Sequence, residues 1–313
     1  MAIETRSDPR IYVDVDHLRR LGAKARALSF LPRQPSHSVL NGRHASRLRG
    51  RGLNFEELRT YNQGDDIRTI DWKVTARTGE PHVRVYTEER DRPSLLLVDQ
   101  RMSMFFGSQM SMKSVIAAEA AAIAANRVLA QGDRVGGLVF GDTAIAEHRP
   151  VRNTNAFNRL LASIASANSA LRADAAVKVP LPLNQILGQA LRIAKTNYLI
   201  LVFSDFEGLN ADTERLLRAL SRTNDLILFS VEDPLSHAMP RSLKLTVSDG
   251  DLQAEIDTAN GAVRQRLEDV MEGRLASLHH WARQYGFPVV PLTTTTPTLD
   301  QLLQLFGHRG ATP

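Results

Sequence analysis

Cysteine is absent from this chain of 313 residues, which rules out disulfides and thiolate metal sites and is compatible with a reducing compartment. Long apolar runs are absent too. The longest, Val115 to Ala125, is alanine-rich and broken by Glu119, short of the roughly 20 residues a spanning helix needs. The opening stretch MAIETRSDPRIYVDVDHL lacks a basic segment followed by an apolar one, so no secretory signal is read. The expectation is a soluble, cytoplasmic protein. Catalytic motifs are missing in turn. There is no Gly-x-Ser-x-Gly elbow, and no serine near a strand end has an obvious histidine partner. No Gly-x-x-x-x-Gly-Lys-Ser/Thr phosphate loop occurs, so ATP energy has to come from a partner. His279 and His280 are adjacent on a helix and lack the i, i+4 geometry of a metal pair. A non-enzymatic protein without a cofactor is expected.

What the chain does have is 43% apolar residues, enough for a large core, and a length that suits about one to three domains at roughly 100 to 200 residues each. Its formal charge of +5 is unevenly spread. Between His17 and Phe55 stand Arg19, Arg20, Lys24, Arg26, Arg33, Arg43, Arg47, Arg49 and Arg51, with no acid among them. Such a block attracts nucleic acid, anionic lipid or an acidic protein face through the same long-range field, or is simply a solvated arm. Aromatic residues for base stacking are scarce there, which counts against nucleic acid. Residues 1–37 are taken as a basic, partly helical arm.

From Ser94 onward, short apolar runs alternate with helical spacing, the mark of strands and crossover helices in a parallel sheet. Strands are predicted at 95–99, 134–140, 143–149, 198–205, 225–232 and 288–292, and helices at 112–130, 156–167, 185–195, 212–221, 262–285 and 298–305. Runs such as LILVF are apolar on consecutive residues, so these strands are central and covered on both faces. The pair at 134–149, split by Gly-Asp, reads as a hairpin, giving one antiparallel edge strand. The expected fold is α/β, a doubly wound and mostly parallel sheet over 93–313, preceded by a β-rich extension at 38–92.

In an open parallel sheet, ligands bind beyond the carboxyl ends of the strands, which points to Asp99 to Ser103 and to Asp205. This arrangement resembles the von Willebrand factor A domain, whose metal-ion-dependent adhesion site uses Asp-x-Ser-x-Ser after the first strand, a Thr from a second loop and an Asp after the fourth. By that resemblance Asp99, Ser103 and Asp205 match ligands, Arg101 stands at the middle Ser, and the second-loop segment 180–191 has no Thr, with Asn184 or Gln185 as candidates for an amide oxygen in its place. A hard cation such as magnesium wants near-octahedral oxygen ligation, which a guanidinium beside the site opposes. Three readings stay open: Arg101 forks onto Asp99 or Asp205 in place of a metal, it points to solvent, or the site binds magnesium. The two carboxylates are expected to face each other, and Arg101→Ser to create magnesium affinity.

Residues 49–86 carry Gly64-Asp65-Asp66-x-Arg68-x-x-Asp71-Trp72 and Ala76-Arg77-Thr78-Gly79. With the Asp99 loop that follows, they closely resemble the bacterial domain of unknown function 58 family. The resemblance implies a neighbouring MoxR-type AAA+ ATPase and a role as its adaptor in assembling or remodelling an unknown client protein. Read without the family, Asp65, Asp66 and Asp71 interleave with Arg59, Arg68 and Arg77. That composition suits a salt-bridge network around a packed Trp72, which would tie the extension to the core. A two-metal acidic site is the rival, disfavoured because each Asp has a neutralising Arg nearby.

Overall fold

The computed structural model describes residues 8–24, 53–62, 65, 67–88, 92–173, 179–236, 244–248, 253–257 and 261–306. In chain order the elements are α1 (Val15–Lys24), β1 (Leu53–Thr60), α2 (Trp72–Thr78), β2 (His82–Glu88), β3 (Pro93–Asp99), α3 (Lys113–Ala130), β4 (Arg134–Phe140), β5 (Ile145–Val151) and α4 (Thr154–Ser169). They continue with α5 (Leu183–Ile193), β6 (Leu199–Ser204), α6 (Ala211–Ser221), β7 (Asp225–Glu232), β8 (Lys244–Ser248), β9 (Gln253–Asp257), α7 (Gly261–Tyr285), β10 (Val289–Thr293) and α8 (Thr298–Phe306). Two compact units form, Met1–Phe30 with Arg92–Pro313, and Leu31–Asp91.

The first unit is a doubly wound α/β domain around a sheet of order β10-β7-β6-β3-β4-β5. Every pair is parallel except β4 with β5, the antiparallel edge. The apolar runs decide this. All of β3 and β6 is buried, with Leu95, Leu97, Ile200 and Val202 packing toward α5, α6 and α7. Helices α3 and α4 cover the other face, and α1 and α8 lie against α3. Helix α3 is buried almost all round, which its alanines permit because neighbouring layers can approach closely. Its mid-helix carboxylate, Glu119, is satisfied from both flanking elements, by His17 Nε2 at 2.6 Å and by the Thr298 hydroxyl at 2.5 Å.

Boundaries follow capping. Helix α4 begins earlier than its apolar spacing predicts because Asn153 accepts from the Asn155 and Ala156 amides and closes the N-terminus. Helix α1 (Val15–Lys24) falls within the arm expected over 1–37, and the basic residues from Arg26 to Arg51 lie outside the described residues. The described part of that stretch is a docked element. Leu18 is fully buried, the Val13 amide donates to Asn168 Oδ1 at 2.9 Å, and a Cβ on Gly22 would meet Asn126 Cβ at 2.8 Å. The β8–β9 hairpin was not expected, although LKLTV and LQAEI flank an Asp-Gly pair that favours such turns.

Gly136 marks where β4 bulges against β5, at a register break between Val135 and Gly137. A Cβ there would sit 2.3 Å from the His148 carbonyl oxygen, a backbone atom that cannot move aside alone. Gly136→Ala should therefore destabilise the unit by about 1 to 3 kcal/mol, the usual cost of overpacking. A denaturant midpoint equal to that of the parent would show that the edge strand is free to slide.

The second unit holds β1 and β2 as an antiparallel pair, and α2 between them in sequence. Asp71 caps α2, its Oδ1 accepting from Lys73 N at 3.0 Å and Val74 N at 3.2 Å, and Gly79 ends it in the left-handed conformation at φ 81°. Arg59 forks onto Asp65 at 2.7 and 2.8 Å. Gly64 and Asp66 lie outside the described residues.

Candidate functional site

β3 and β6 are neighbours in register with Val98 opposite Phe203, so their carboxyl ends bring Asp99 and Asp205 to the same edge of the sheet. Asp99 is fully buried and Arg101 is 4% exposed. The guanidinium turns inward: Arg101 Nη2 donates to Asp99 Oδ2 at 2.7 Å, Nε to Oδ1 at 3.0 Å, and the Arg101 backbone amide to Oδ1 at 3.0 Å. The Ser204 hydroxyl donates to Asp99 Oδ2 at 2.6 Å, Arg101 Nη1 reaches the Leu181 carbonyl at 3.4 Å, and the guanidinium lies 5.8 Å from the Phe140 ring centre. Of the three readings of Arg101, the geometry is that of the fork onto Asp99.

Asp205 has its own cation, which the sequence did not suggest. Lys113, the first residue of α3, places Nζ 2.6 Å from Asp205 Oδ2, while Oδ1 accepts the Glu207 amide at 3.1 Å. The turn that aims Asp205 is strained. Phe206 sits at φ 55°, held there by complete burial of its ring and by its amide donating to Ser204 Oγ at 2.9 Å. Burial pushes the Asp99 carboxyl up, against the opposing pull of Arg101 and Ser204. Burial acts the same way on Asp205, but Lys113, with Arg274 and Arg101 behind it, outweighs it and holds that carboxyl below its usual range. Both carboxylates therefore meet a cation, and each of the four oxygens already faces a donor.

The remaining candidates are placed elsewhere. The Ser103 hydroxyl is buried and makes no hydrogen bond to either carboxylate. Asn184 turns to α6, donating to Asn210 Oδ1 at 2.9 Å and accepting the Thr213 hydroxyl at 2.6 Å, and Gln185 is exposed. The Asn184 amide thus serves the cap of α6 and does not join the carboxylate pair. Trp72 departs most from expectation: it is 68% exposed, because it opens α2 on the outward side of the Asp71 cap. Arg68 and Arg77 are exposed as well. Asp65 and Asp71 are spent on Arg59 and on the helix cap, so these two do not gather as metal ligands.

The loop from Gln100 to Met112 crosses the carboxyl edge of the sheet as a strap. At one end the Met102 amide donates to Asp142 Oδ1 at 3.0 Å, beyond β4. At the other, Asp233 beyond β7 accepts the Ser108 amide at 2.7 Å, the Ser108 hydroxyl at 2.5 Å and the Thr294 hydroxyl at 2.6 Å. The Met110 and Ser111 amides bond Thr294 O beyond β10. Gln100 is buried and fastens the strap underneath, donating to Ser114 O at 2.9 Å and accepting from Asn168 Nδ2 at 3.0 Å. Outward, the strap presents Met102, Phe106 and Met110, each about two-fifths exposed.

The profile of a family described as "Protein of unknown function DUF58" matches residues 57–274. Uncharacterized proteins of Mycobacterium bovis and Mycobacterium tuberculosis are 27% identical to this chain over 296 residues, covering 93% of it and 90% of their own length. Among solved structures, a von Willebrand factor type A protein from Catenulispora acidiphila is similar over 60% of this chain, at 12% identity and a TM-score of 0.30. The matched part is 44% of that structure's length, so this chain spans less than half of it.

Proposed function

We propose, from the premise that this chain belongs to the DUF58 family of proteins of unknown function, that it is a non-enzymatic protein–protein interaction module working in the cytoplasm as an adaptor for a MoxR-type AAA+ ATPase. Its task in this reading is to hold a client protein that the ATPase assembles or remodels. One observation carries the binding half of the reading. The carboxyl edge of the sheet is closed by its own cations and capped by a pinned strap that exposes the apolar side chains of Met102, Phe106 and Met110 beside the polar Ser108 and Gln109. Partly exposed Met and Phe side chains on a pinned frame are suited to a protein partner. With Asp99 and Asp205 each paired to a cation, neither of these two carboxylates stands free for proton transfer or offers an open set of oxygens to a divalent cation. Magnesium is not part of the mechanism in this reading, and no cofactor is used. Among the described residues no helix is long and apolar enough to cross a membrane.

The test has two arms. Co-expressed with a MoxR-type ATPase, the full chain should co-elute with it in the presence of EDTA as readily as in magnesium. Calorimetric titration of the chain alone with magnesium should give no binding heat. Failure to co-elute overturns the adaptor role. Micromolar magnesium binding overturns the closed-edge reading and returns the protein to metal-dependent ligand capture.

A further inference from the structure

A seven-residue helix is too short to persist on its own, yet α2 is fixed at several points. Asp71 caps it, the Asp71 amide donates to His82 O at 2.8 Å, and the His82 amide donates to Thr75 Oγ1 at 3.1 Å. Gly79 closes the other end with its amide on Thr75 O. No residue of α2 is buried, so this anchoring does not serve a core. It holds outward a row of exposed residues: Trp72 and Ala76 one turn apart, and Lys73 and Arg77 one turn apart, with no acid on the helix. Ile67, 64% exposed, lies five residues ahead of Trp72.

We propose that this face of α2 is a docking site for an acidic segment of a partner protein, with Trp72 and Ile67 as apolar anchors and Lys73 and Arg77 pairing carboxylates. Tryptophan and arginine are the residues that carry binding energy at protein interfaces, and a preformed platform loses little freedom when it binds. Two rival surfaces are less well matched. Single-stranded nucleic acid takes stacked aromatics along a basic groove, whereas here the second anchor is aliphatic and cannot stack a base. A lipid surface takes a long amphipathic helix, and α2 is about 10 Å long at 1.5 Å per residue. The proposal stands on the second unit alone and does not depend on the strap or the ATPase.

The test uses the full chain and the fluorescence of its two tryptophans. Trp281 is 8% exposed, so a change of environment on binding reports Trp72. A synthetic peptide of alternating glutamate and leucine should shift the emission to the blue in a saturable way. Lys73→Glu with Arg77→Glu should weaken binding at least about tenfold, as loss of hot-spot residues does. Trp72→Ala should weaken a labelled peptide by a similar factor, read by anisotropy, with the melting temperature of the parent retained. Three results overturn the proposal: no shift with the peptide, equal binding by the charge-reversed variant, or a shift produced instead by oligo-dT or phosphatidylglycerol vesicles.

Discussion

Asp99→Ala should lower the stability of the first unit by about 3 to 5 kcal/mol, the cost of leaving one member of a buried ion pair behind. Arg101 is nearly as buried as its partner, and in the variant its guanidinium is left with the Leu181 carbonyl at 3.4 Å, the Phe140 ring at 5.8 Å and the more distant charges of Asp205 and Glu207. Ser204 loses its acceptor at the same time, while still receiving the Phe206 amide. For a unit of more than 150 residues the loss corresponds to a fall in melting temperature on the order of 10 °C. Removing both charges together, as in Asp99→Leu with Arg101→Met, should recover most of the loss, since a buried pair contributes little beyond its own desolvation. If the single variant melts with the parent, Arg101 escapes to water and the fork is not what holds the turn.

The second large effect is a gain of metal dependence. Arg101→Ser alone, the change the sequence suggests, frees Asp99 but leaves Asp205 held by Lys113 at 2.6 Å. Arg101→Ser with Lys113→Ala removes the two cations paired directly with the carboxylates and leaves Arg274 acting on Asp205. Two buried carboxylates on neighbouring strand ends then repel, and a serine hydroxyl returns beside Ser103. The double variant should be strongly destabilised in EDTA and recover with magnesium or manganese. A bound ion adds about 2.7 kcal/mol when present at a hundredfold excess over its dissociation constant. Scanning calorimetry with and without the metal decides it. Identical melting in both buffers would mean that the loop geometry, and not the resident cations, excludes the ion. Should the double variant not fold at all, manganese titration of Arg101→Ser separates the same two outcomes through a smaller heat.

What could be read in advance tracks what is local. β3, β6 and β7 announce themselves because burial on both faces favours apolar residues at consecutive positions, and Asp99 and Asp205 stand out as the first charges that follow such runs. Lys113 could not be read. Its ammonium meets Asp205 only because the strap returns to the sheet edge before α3 begins, and nothing in the spacing of charges fixes the length of that return. Asn184 failed for the opposite reason. It has the right chemistry for a metal oxygen, but the cap of α6 claims it first. Residue type alone puts Trp72 in a core, whereas position in a capped helix sets which way a side chain points. Phe206 gave no warning, since a left-handed aromatic arises from burial around it.

The strap is fastened at both rims and from beneath, with Asp142, Asp233 and Gln100 each holding a different part of it. Its shape is therefore already set before any partner arrives. Amide protons at Met102 and Ser108 should exchange with solvent only through openings that break these bonds, far more slowly than their place in a surface loop suggests. Encounter with a partner at this edge should show a single association phase that scales with partner concentration, with no concentration-independent step for loop rearrangement. Selection among partners then rests on how long each stays bound, because all of them meet the same fixed surface.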